Sequence, residues 1–230
     1  MIVPAFDEAP RIGRMLRGLP PEVDHVIVVD DASRDGTREA ALAVADGRVE
    51  VVVHPENRGV GAAITTGYRR AEARAASADA AFVVMAGDDQ MDPRDLPALV
   101  RPIADGRADY VKGCRFAWPG ARERMPFARW VGGWGFSVLT SAAIGQWISD
   151  SQCGYTALAG RASGRLDLAG LWPGYGYPND LLGQLAVRRL RIVEVPVRPV
   201  YADEVSRLRL RHLPTVTRLV ARAWARRMVS

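Results

Sequence analysis

The most constraining feature of this sequence is the stretch Ala80–Pro93, in which an unbroken apolar run meets a cluster of acidic residues. Ala80–Ala86 is wholly apolar, and the next six positions carry Gly87, Asp88, Asp89, Gln90 and Asp92. A short apolar run that ends in Gly and acidic residues is typical of a strand buried on both faces of a sheet. Asp92-Pro93 then predicts a helix start, with Asp as the N-cap. Acidic groups therefore follow a parallel strand, at the sheet edge where α/β proteins bind ligands.

The side chains of Asp88 and Gln90 offer hard oxygen ligands at this edge. Such ligands suit Mg²⁺ or Mn²⁺, and an ion held by so few protein groups usually also binds substrate phosphates. A solvated acidic loop would explain the same residues if the stretch stood alone. The choice between the two depends on the rest of the chain.

The first half of the chain alternates between apolar runs and amphipathic segments. The predicted strands are followed by predicted helices that end near Leu19, Val44 and Ala76, and Asp30-Asp31 closes the second strand as Asp88 closes the fourth. This alternation predicts βαβ units and a parallel sheet with right-handed crossovers. The predicted strands are Met1–Ala5, Val26–Val29, Val49–Val53 and Ala80–Ala86.

The second half is less regular. Its pattern predicts an irregular loop over Trp118–Arg129, a glycine-broken apolar helix over Trp130–Ile148, and a mobile loop over Leu171–Asn179. The segment Trp130–Ser149 lacks charge but contains four Gly, so it does not predict a transmembrane helix. The remaining predicted elements are strands at Ala108–Cys114, Tyr155–Ala159 and Arg191–Val197, a helix from Pro178 to Leu190, and an amphipathic helix at Pro214–Met228.

The charge of the chain is unevenly distributed. Its 230 residues carry a formal net charge of +5, and Arg dominates from Arg188 onward. A basic end and acidic loops indicate an anionic partner and a metal, whereas aromatic residues do not interleave with the basic ones as in single-strand binders, which argues against nucleic acid. Cys114 and Cys153 lack metal or redox spacing and predict reduced thiols in a cytoplasmic protein without a signal peptide.

Several short motifs occur along the chain in a fixed order. Taken together they resemble those of the family 2 glycosyltransferases, and most of all those of the polyprenyl-phosphate (dolichol-phosphate) sugar synthases. The motifs are Val3–Glu8, Val28–Thr37, Asn57-Arg58-Gly59-x-Gly61, Gly87-Asp88-x-Gln90-x-Asp92-Pro93, Asp150-x-Gln152-x-Gly154-Tyr155 and Glu194-Val195-Pro196-Val197.

The resemblance implies a GT-A fold, an α/β architecture with a Rossmann-like, mostly parallel sheet and helices on both faces. It covers residues 1–210 as one glycosyltransferase domain, and leaves residues 211–230 as a basic amphipathic C-terminal helix. Two departures from the family pattern stand out. Ala86 occupies the first acidic position of the usual Asp-x-Asp metal motif, and Asp7 replaces a common Asn. Asp89 is no simple substitute for the missing carboxylate, because neighbouring residues on an extended chain point to opposite sides.

The activity implied by the resemblance is metal-dependent, inverting transfer of a hexose from a nucleotide diphosphate sugar, such as a GDP- or UDP-sugar, to a polyprenyl phosphate. Mg²⁺ or Mn²⁺ would lie on Asp88 and Gln90. Cations would position the acceptor phosphate, and the implied catalytic residues are Asp88, Asp150, Arg129 and Arg207, with Arg115, Arg209 and Ser206 as further phosphate ligands. The implied donor site comprises Pro4, Ala5, Asp7, Glu8, Asp30, Asp31, Gly59, Gly87 and Asp88.

Two other functions remain open at this point. A hydroxyl acceptor would need a general base, for which Asp150 is the first candidate and Asp180 the second. Loss of the metal-motif carboxylate at Ala86 would also fit a module that binds nucleotide sugars without turning them over. A lipid-linked acceptor implies a cytoplasmic protein peripheral on the inner face of the cell membrane, with Trp130–Ile148 and the C-terminal helix either in the interface or packed on the domain.

Overall fold

The computed structural model describes residues 1–75, 77–125, 127–200 and 213–229. Its centre is one seven-stranded sheet with the order β3-β2-β1-β4-β6-β5-β7. The strands are β1 (Ile2–Ala5), β2 (Val26–Asp30), β3 (Val49–Val53), β4 (Ala81–Val84), β5 (Tyr110–Cys114), β6 (Thr156–Ala159) and β7 (Ile192–Pro196).

Strand direction decides which loops meet at one edge. β1 pairs in parallel with β2 and β4, β2 with β3, and β5 with β7. β6 runs antiparallel to both of its neighbours, β4 and β5, so those two strands point the same way. The carboxyl ends of six strands and the chain entering β6 therefore lie at the same edge. The sequence pattern predicts the parallel half but not the reversed strand.

Helices cover the sheet and follow its crossovers. The predicted loop over Trp118–Arg129 is partly wrong, because a short helix and the start of a long one lie within it. A 3₁₀ turn at Pro93–Asp95 precedes the helix expected there. The α-helices are α1 (Ala9–Arg17), α2 (Thr37–Leu42), α3 (Val60–Arg74), α4 (Leu96–Ala104), α5 (Ala121–Arg124), α6 (Phe127–Ile144), α7 (Gly160–Ser163), α8 (Tyr177–Val187) and α9 (Leu213–Val229).

The core lies between the apolar strands and one face of each packing helix. The apolar face of α1 lies in this core, since Ile12, Met15 and Leu16 are all buried. α3 approaches β1 closely at Gly67, where an added Cβ would lie 2.2 Å from Cγ2 of Ile2. Glycine at this position lets the helix rest directly on the sheet.

The C-terminal helix α9 packs on α8 and α6. Its Leu219 and Ala223 are buried, and Ala223 meets Gly183 of α8 so closely that a Cβ on Gly183 would lie 2.7 Å from that of Ala223. The sequence predicts an amphipathic helix here, and its apolar residues Leu219 and Ala223 contact the domain. Within the described residues, none of the helices has the length and hydrophobicity needed to cross a membrane. The predicted α/β fold with a mostly parallel sheet and a C-terminal helix is confirmed.

Candidate active site

Three strand ends meet at the centre of the sheet edge. Ala5 of β1 pairs in register with Asp30 of β2. On the other side of β1, the amide of Gly87 donates to the carbonyl of Pro4 at 3.1 Å, so the chain after β4 continues alongside β1. The predicted donor-site residues at these three strand ends are therefore neighbours in space.

The two aspartates that close β2 do different things. Asp31 accepts the backbone amides of Arg58 and Gly59 at 2.9 and 2.7 Å, and its Oδ1 lies 2.7 Å from Nδ1 of His54. Both oxygens of Asp31 are thus engaged in holding the loop after β3. Asp30 accepts the amide of Ser33 through Oδ1 at 3.0 Å and lies directly beside β1.

The turn after β1 is fastened to the loop after β2. Asp7 has a φ of 53°, in the left-handed region that Asp and Asn tolerate best among residues with side chains. Its amide donates to Oγ of Ser33 at 3.0 Å, and its Oδ1 accepts the amide of Arg34 at 2.9 Å. The amide of the buried Glu8 donates to Oγ1 of Thr37 at 2.7 Å. The departure at Asp7 is therefore compatible with the turn.

The acidic loop after β4 turns where an extended chain was assumed. Asp89 has a φ of 60°, and its Oδ2 accepts Nε of Arg14 at 2.6 Å. This ion pair turns the carboxylate of Asp89 toward α1. Asp89 therefore does not replace the acidic residue missing at position 86, but the reason is its pairing with Arg14 and not the alternation of an extended chain. Asp88 accepts the amide of Gln90 at 3.2 Å. The predicted N-cap is confirmed, since Asp92 accepts the amide of Arg94 at 3.0 Å.

The side chains of this loop fit a metal site that is completed by ligands from a substrate. Among the described residues, no three His, Cys, Asp or Glu side chains are grouped so as to hold a metal ion. Asp88 and Gln90 supply a carboxylate and an amide oxygen. Mg²⁺ is commonly held by one or two carboxylates together with substrate phosphates and water. The donor set therefore fits an ion whose remaining ligands come from a diphosphate, and does not form a cage of protein ligands.

Asp150 and Arg115 form a bidentate ion pair at the same edge. Arg115 follows β5, and it donates Nε to Oδ2 and Nη2 to Oδ1 of Asp150 at 2.8 and 2.9 Å. Asp150 is fully buried. Burial would raise its pKa, but the charges of Arg115 and Lys112 and the hydrogen bonds from Arg115 outweigh it and hold the pKa of Asp150 below its usual range.

Glu194 supports that pair from β7. Its carboxylate accepts the amides of Ser149 and Asp150 at 2.7 and 3.0 Å. The Glu-Val-Pro-Val motif thus fixes the backbone of the Asp150 motif, which in turn aims Arg115. Such a chain of hydrogen bonds determines the direction of a long, rotatable side chain.

The sequence analysis did not predict a role for Arg198, which contacts two aspartates and a tryptophan at this edge. The guanidinium of Arg198 donates to Oδ2 of Asp92 at 2.8 Å and lies 5.0 Å from the ring centroid of Trp118, while its amide donates to Asp95 at 2.6 Å. The sequence feature that could have identified Arg198 is its position two residues after the end of β7. A cavity of about 600 Å³ opens here, within the range of small-molecule sites. It is lined by Asp89, Met91, Asp92, Pro93, Arg94, Arg198, Pro199 and Val200.

The glycines after β3 approach protein backbone. A Cβ on Gly59 would lie 2.6 Å from the carbonyl oxygen of Pro173, and one on Gly61 would lie 2.1 Å from that of Trp172. The amide of Ala62 donates to the Pro173 carbonyl at 3.0 Å. The segment that the sequence pattern predicted to be a mobile loop is therefore seated on the start of α3 and explains why small residues are needed there.

The other predicted residues lie elsewhere or outside the description. Asp180, the second candidate base, is buried in α8 and accepts Nη1 of Arg226 from α9 at 2.7 Å. Arg129 belongs to α6, and its side chain is outside the described part. Arg207 also falls outside the described residues, as do Ser206 and Arg209. Cys114 and Cys153 are buried free thiols, and burial raises the pKa of Cys114 to about 12.

Comparison with known proteins identifies the family of this chain. Residues 1–159 match the model described as glycosyl transferase family 2. An undecaprenyl-phosphate mannosyltransferase of Micrococcus luteus is 32% identical over 203 residues, which is 85% of this chain and 81% of that protein. A UDP-N-acetylglucosamine–dolichyl-phosphate N-acetylglucosaminyltransferase of Methanococcus voltae is 28% identical, over 88% of this chain and 86% of that protein.

Solved structures agree on the fold. Glucosyl-3-phosphoglycerate synthase from Mycobacterium tuberculosis superposes with a TM-score of 0.71 at 22% identity, over 98% of this chain and 78% of that one. A structure of the same synthase with Mn²⁺, UDP and glucosyl-3-phosphoglycerate has a TM-score of 0.69 at 23% identity, over the same shares of both chains. The similarity confirms the predicted GT-A architecture.

Proposed function

The chain belongs to glycosyl transferase family 2, and from this premise we propose that it transfers a hexose from a nucleotide diphosphate sugar to a polyprenyl phosphate. The two relatives whose names contain a lipid-phosphate acceptor align over most of this chain and over most of their own length. Support for a phosphate acceptor must come from the side chains of the candidate site.

The bidentate pair of Asp150 and Arg115 carries the proposal. A hydroxyl acceptor requires a general base whose oxygen can reach the proton. Both oxygens of Asp150 accept from Arg115, and the side chain is fully buried. A phosphate monoester is already an oxyanion and needs an aimed cation instead of a base. An arginine fixed by a buried carboxylate provides that, since guanidinium groups bind phosphate with defined geometry.

The donor lies on the other side of β6 in this proposal. Asp30 and the turn from Pro4 to Glu8 hold the nucleoside, and Asp31 keeps the loop around Gly59 in place. Glycine at position 87 lets the chain pack closely against β1 and α1, because a Cβ there would lie 2.8 Å from Cδ1 of Ile12 and 3.3 Å from Cβ of Ala5. β4 and β5 are two strand spacings apart, so the diphosphate and acceptor sites are separated by about 10 Å.

Asp88 and Gln90 would hold Mg²⁺ or Mn²⁺ in the proposed site, where a divalent ion would supply positive charge against the leaving diphosphate. Arg115, held by Asp150, orients the acceptor phosphate and offsets its repulsion from the donor. An oxygen of that phosphate attacks the anomeric carbon as the bond to the diphosphate oxygen breaks. The result is inversion at carbon and a nucleoside diphosphate product. Arg129 and Arg207 remain proposed phosphate ligands.

A lipid acceptor requires access to a membrane surface, and α6 offers a suitable face. Phe127, Val131 and Trp134 recur at helical spacing and are 76, 46 and 51% exposed. Trp224 of α9 is also exposed, at 53%. Exposed aromatic and aliphatic side chains beside basic residues favour binding at the headgroup boundary of a bilayer. We therefore include peripheral membrane association in the proposal.

A substrate panel tests the function. Purified protein is given UDP-glucose, UDP-N-acetylglucosamine or GDP-mannose with Mn²⁺, and either undecaprenyl phosphate or undecaprenol. We expect a sugar phospholipid from one donor with the phosphate acceptor, and its loss on addition of EDTA. Transfer to undecaprenol or to soluble sugars, but not to the phosphate, would refute the proposed acceptor class.

A further inference from the structure

The C-terminal helix is tied to the rest of the enzyme through one buried carboxylate. Asp180, near the start of α8, is 1% exposed. Its Oδ1 accepts Nη1 of Arg226 at 2.7 Å, and Nη1 of Arg222 lies 3.7 Å from the same oxygen. Arg222 and Arg226 are one helical turn apart on α9, so they approach Asp180 together.

The other oxygen of Asp180 faces a different segment. Oδ2 accepts the backbone amide of Trp172 at 3.0 Å. Trp172 begins the loop that rests on α3, and its indole Nε1 donates to the carbonyl of Tyr175 at 3.1 Å within that loop. A carboxylate whose two oxygens have different partners has its rotation fixed by both, so the arginines of α9 determine how Asp180 meets Trp172.

The loop passes this restraint to the donor side of the sheet edge. The carbonyl of Pro173 accepts the amide of Ala62 in the first turn of α3. Gly59 is the N-cap residue of this helix, and its amide donates to Oδ2 of Asp31 at 2.7 Å. At Gly59 and Gly61 there is no room for a side chain between α3 and the loop, so a displacement of the loop changes the packing at the start of α3.

We propose that Asp180 is a positioning residue that couples the C-terminal helix to the donor-nucleotide site through Trp172 and the start of α3. The inference rests on the proposed function, since it assumes that the edge near Asp31 binds the donor. Arg226 acts through Asp180 and touches neither substrate. Detaching α9 from Asp180 loosens the donor side while leaving the pair of Asp150 and Arg115 in place.

Hydrogen–deuterium exchange and nucleotide binding test the relay on the full chain. In Arg226→Ala we expect faster exchange in the peptide spanning residues 171–176, and about tenfold weaker binding of UDP or GDP in the presence of Mn²⁺, which corresponds to roughly 1.4 kcal/mol. Arg226→Lys keeps the charge and should recover most of the affinity. Arg218→Ala is the matched control, because Arg218 is an exposed arginine of the same helix.

The steady-state constants separate positioning from general damage. The relay predicts a higher KM for the donor, with kcat and the KM for the acceptor nearly unchanged. Unaltered exchange at residues 171–176 in Arg226→Ala, or equal nucleotide affinity of this variant and wild type, would overturn the relay. So would a fall in melting temperature that accompanies equal losses in all kinetic constants. Failure of the proposed function is distinguishable, since the wild type would then bind neither UDP nor GDP.

Discussion

Arg115 reaches both carboxylate oxygens of Asp150, at 2.8 and 2.9 Å, and the carboxylate is fully buried. The backbone amide of Arg115 also donates to Oδ2 of Asp150 at 3.1 Å. Three donors from one residue thus converge on one buried acid. The arrangement fixes the position of the guanidinium, and it makes Asp150 a support for a cation.

Asp150→Asn should weaken acceptor binding more than it slows chemistry. The amide offers one acceptor instead of two and carries no charge, so Arg115 loses its fixed direction. We expect the KM for polyprenyl phosphate to rise about tenfold, equivalent to about 1.4 kcal/mol, with kcat within a few-fold of wild type. Initial rates over a range of acceptor concentrations measure this. A thousandfold lower kcat with an unchanged KM would instead identify Asp150 as a general base.

The stability of the protein in acid should depend on the same carboxylate. The pKa of Asp150 is lowered in the folded protein, mainly by Arg115 acting against burial. A lowered pKa stabilises the folded state above the pKa of the unfolded chain, about 3.9, and this contribution is lost as the pH falls through the folded value. Urea unfolding between pH 3 and 7 should therefore show a shallower decline for Asp150→Asn than for wild type. Parallel curves would contradict the coupling.

Asp88→Asn should remove most of the activity that depends on metal, whereas Asp89→Asn should not. Asp88 is a proposed metal ligand, and we expect its loss to lower kcat/KM about a hundredfold or more, on the order of 3 kcal/mol. Asp89 pairs with Arg14, whose side chain is 69% exposed, and an exposed ion pair contributes about 1 kcal/mol or less. Mn²⁺ titration of both variants measures the difference. Similar losses in both would refute the assignment.

Ala86→Asp should strengthen metal binding. The amides of Met85 and Gly87 donate to the carbonyls of Ile2 and Pro4, so the chain stays extended past the end of β4. Residue 86 therefore lies at this strand end, two positions before Asp88. A second carboxylate there should lower the Mn²⁺ concentration for half-maximal activity about tenfold, or about 1.4 kcal/mol. Ala86→Asn is the uncharged control, and an equal effect from both substitutions would contradict a role for the charge.

Gly61→Ala should destabilise the protein, because its Cβ would lie 2.1 Å from the carbonyl oxygen of Trp172. Overpacking of this kind costs about 1–3 kcal/mol, which for a chain of this length lowers Tm by roughly 2–4 °C per kcal/mol. Gly132→Ala is the matched control on α6, where an added Cβ meets nothing within 4 Å. Helix propensity should make that substitution stabilising by about 1 kcal/mol. Calorimetry of both variants measures the contrast, and equal Tm shifts would contradict it.

Local pattern was enough for much of the fold. The apolar runs identified β1 to β4, and the bounds of β3 were predicted to the residue, because alternation of buried strands and amphipathic helices is written in side-chain polarity. The direction of β6 could not be predicted in the same way. A four-residue buried strand has the same composition whether it runs parallel or antiparallel, and only its neighbours decide.

The sequence by itself determined the family, the acidic and amide groups of the loop after β4 and the order of the motifs, since residue types and short spacings carry that information. Only the tertiary structure decided which acidic residue pairs with which arginine. It paired Asp150 with Arg115, Asp92 with Arg198 and Asp180 with Arg226, residues 35, 106 and 46 positions apart. The physical reason is that hydrogen bonds and ion pairs act over a few ångströms in space, whatever the distance along the chain.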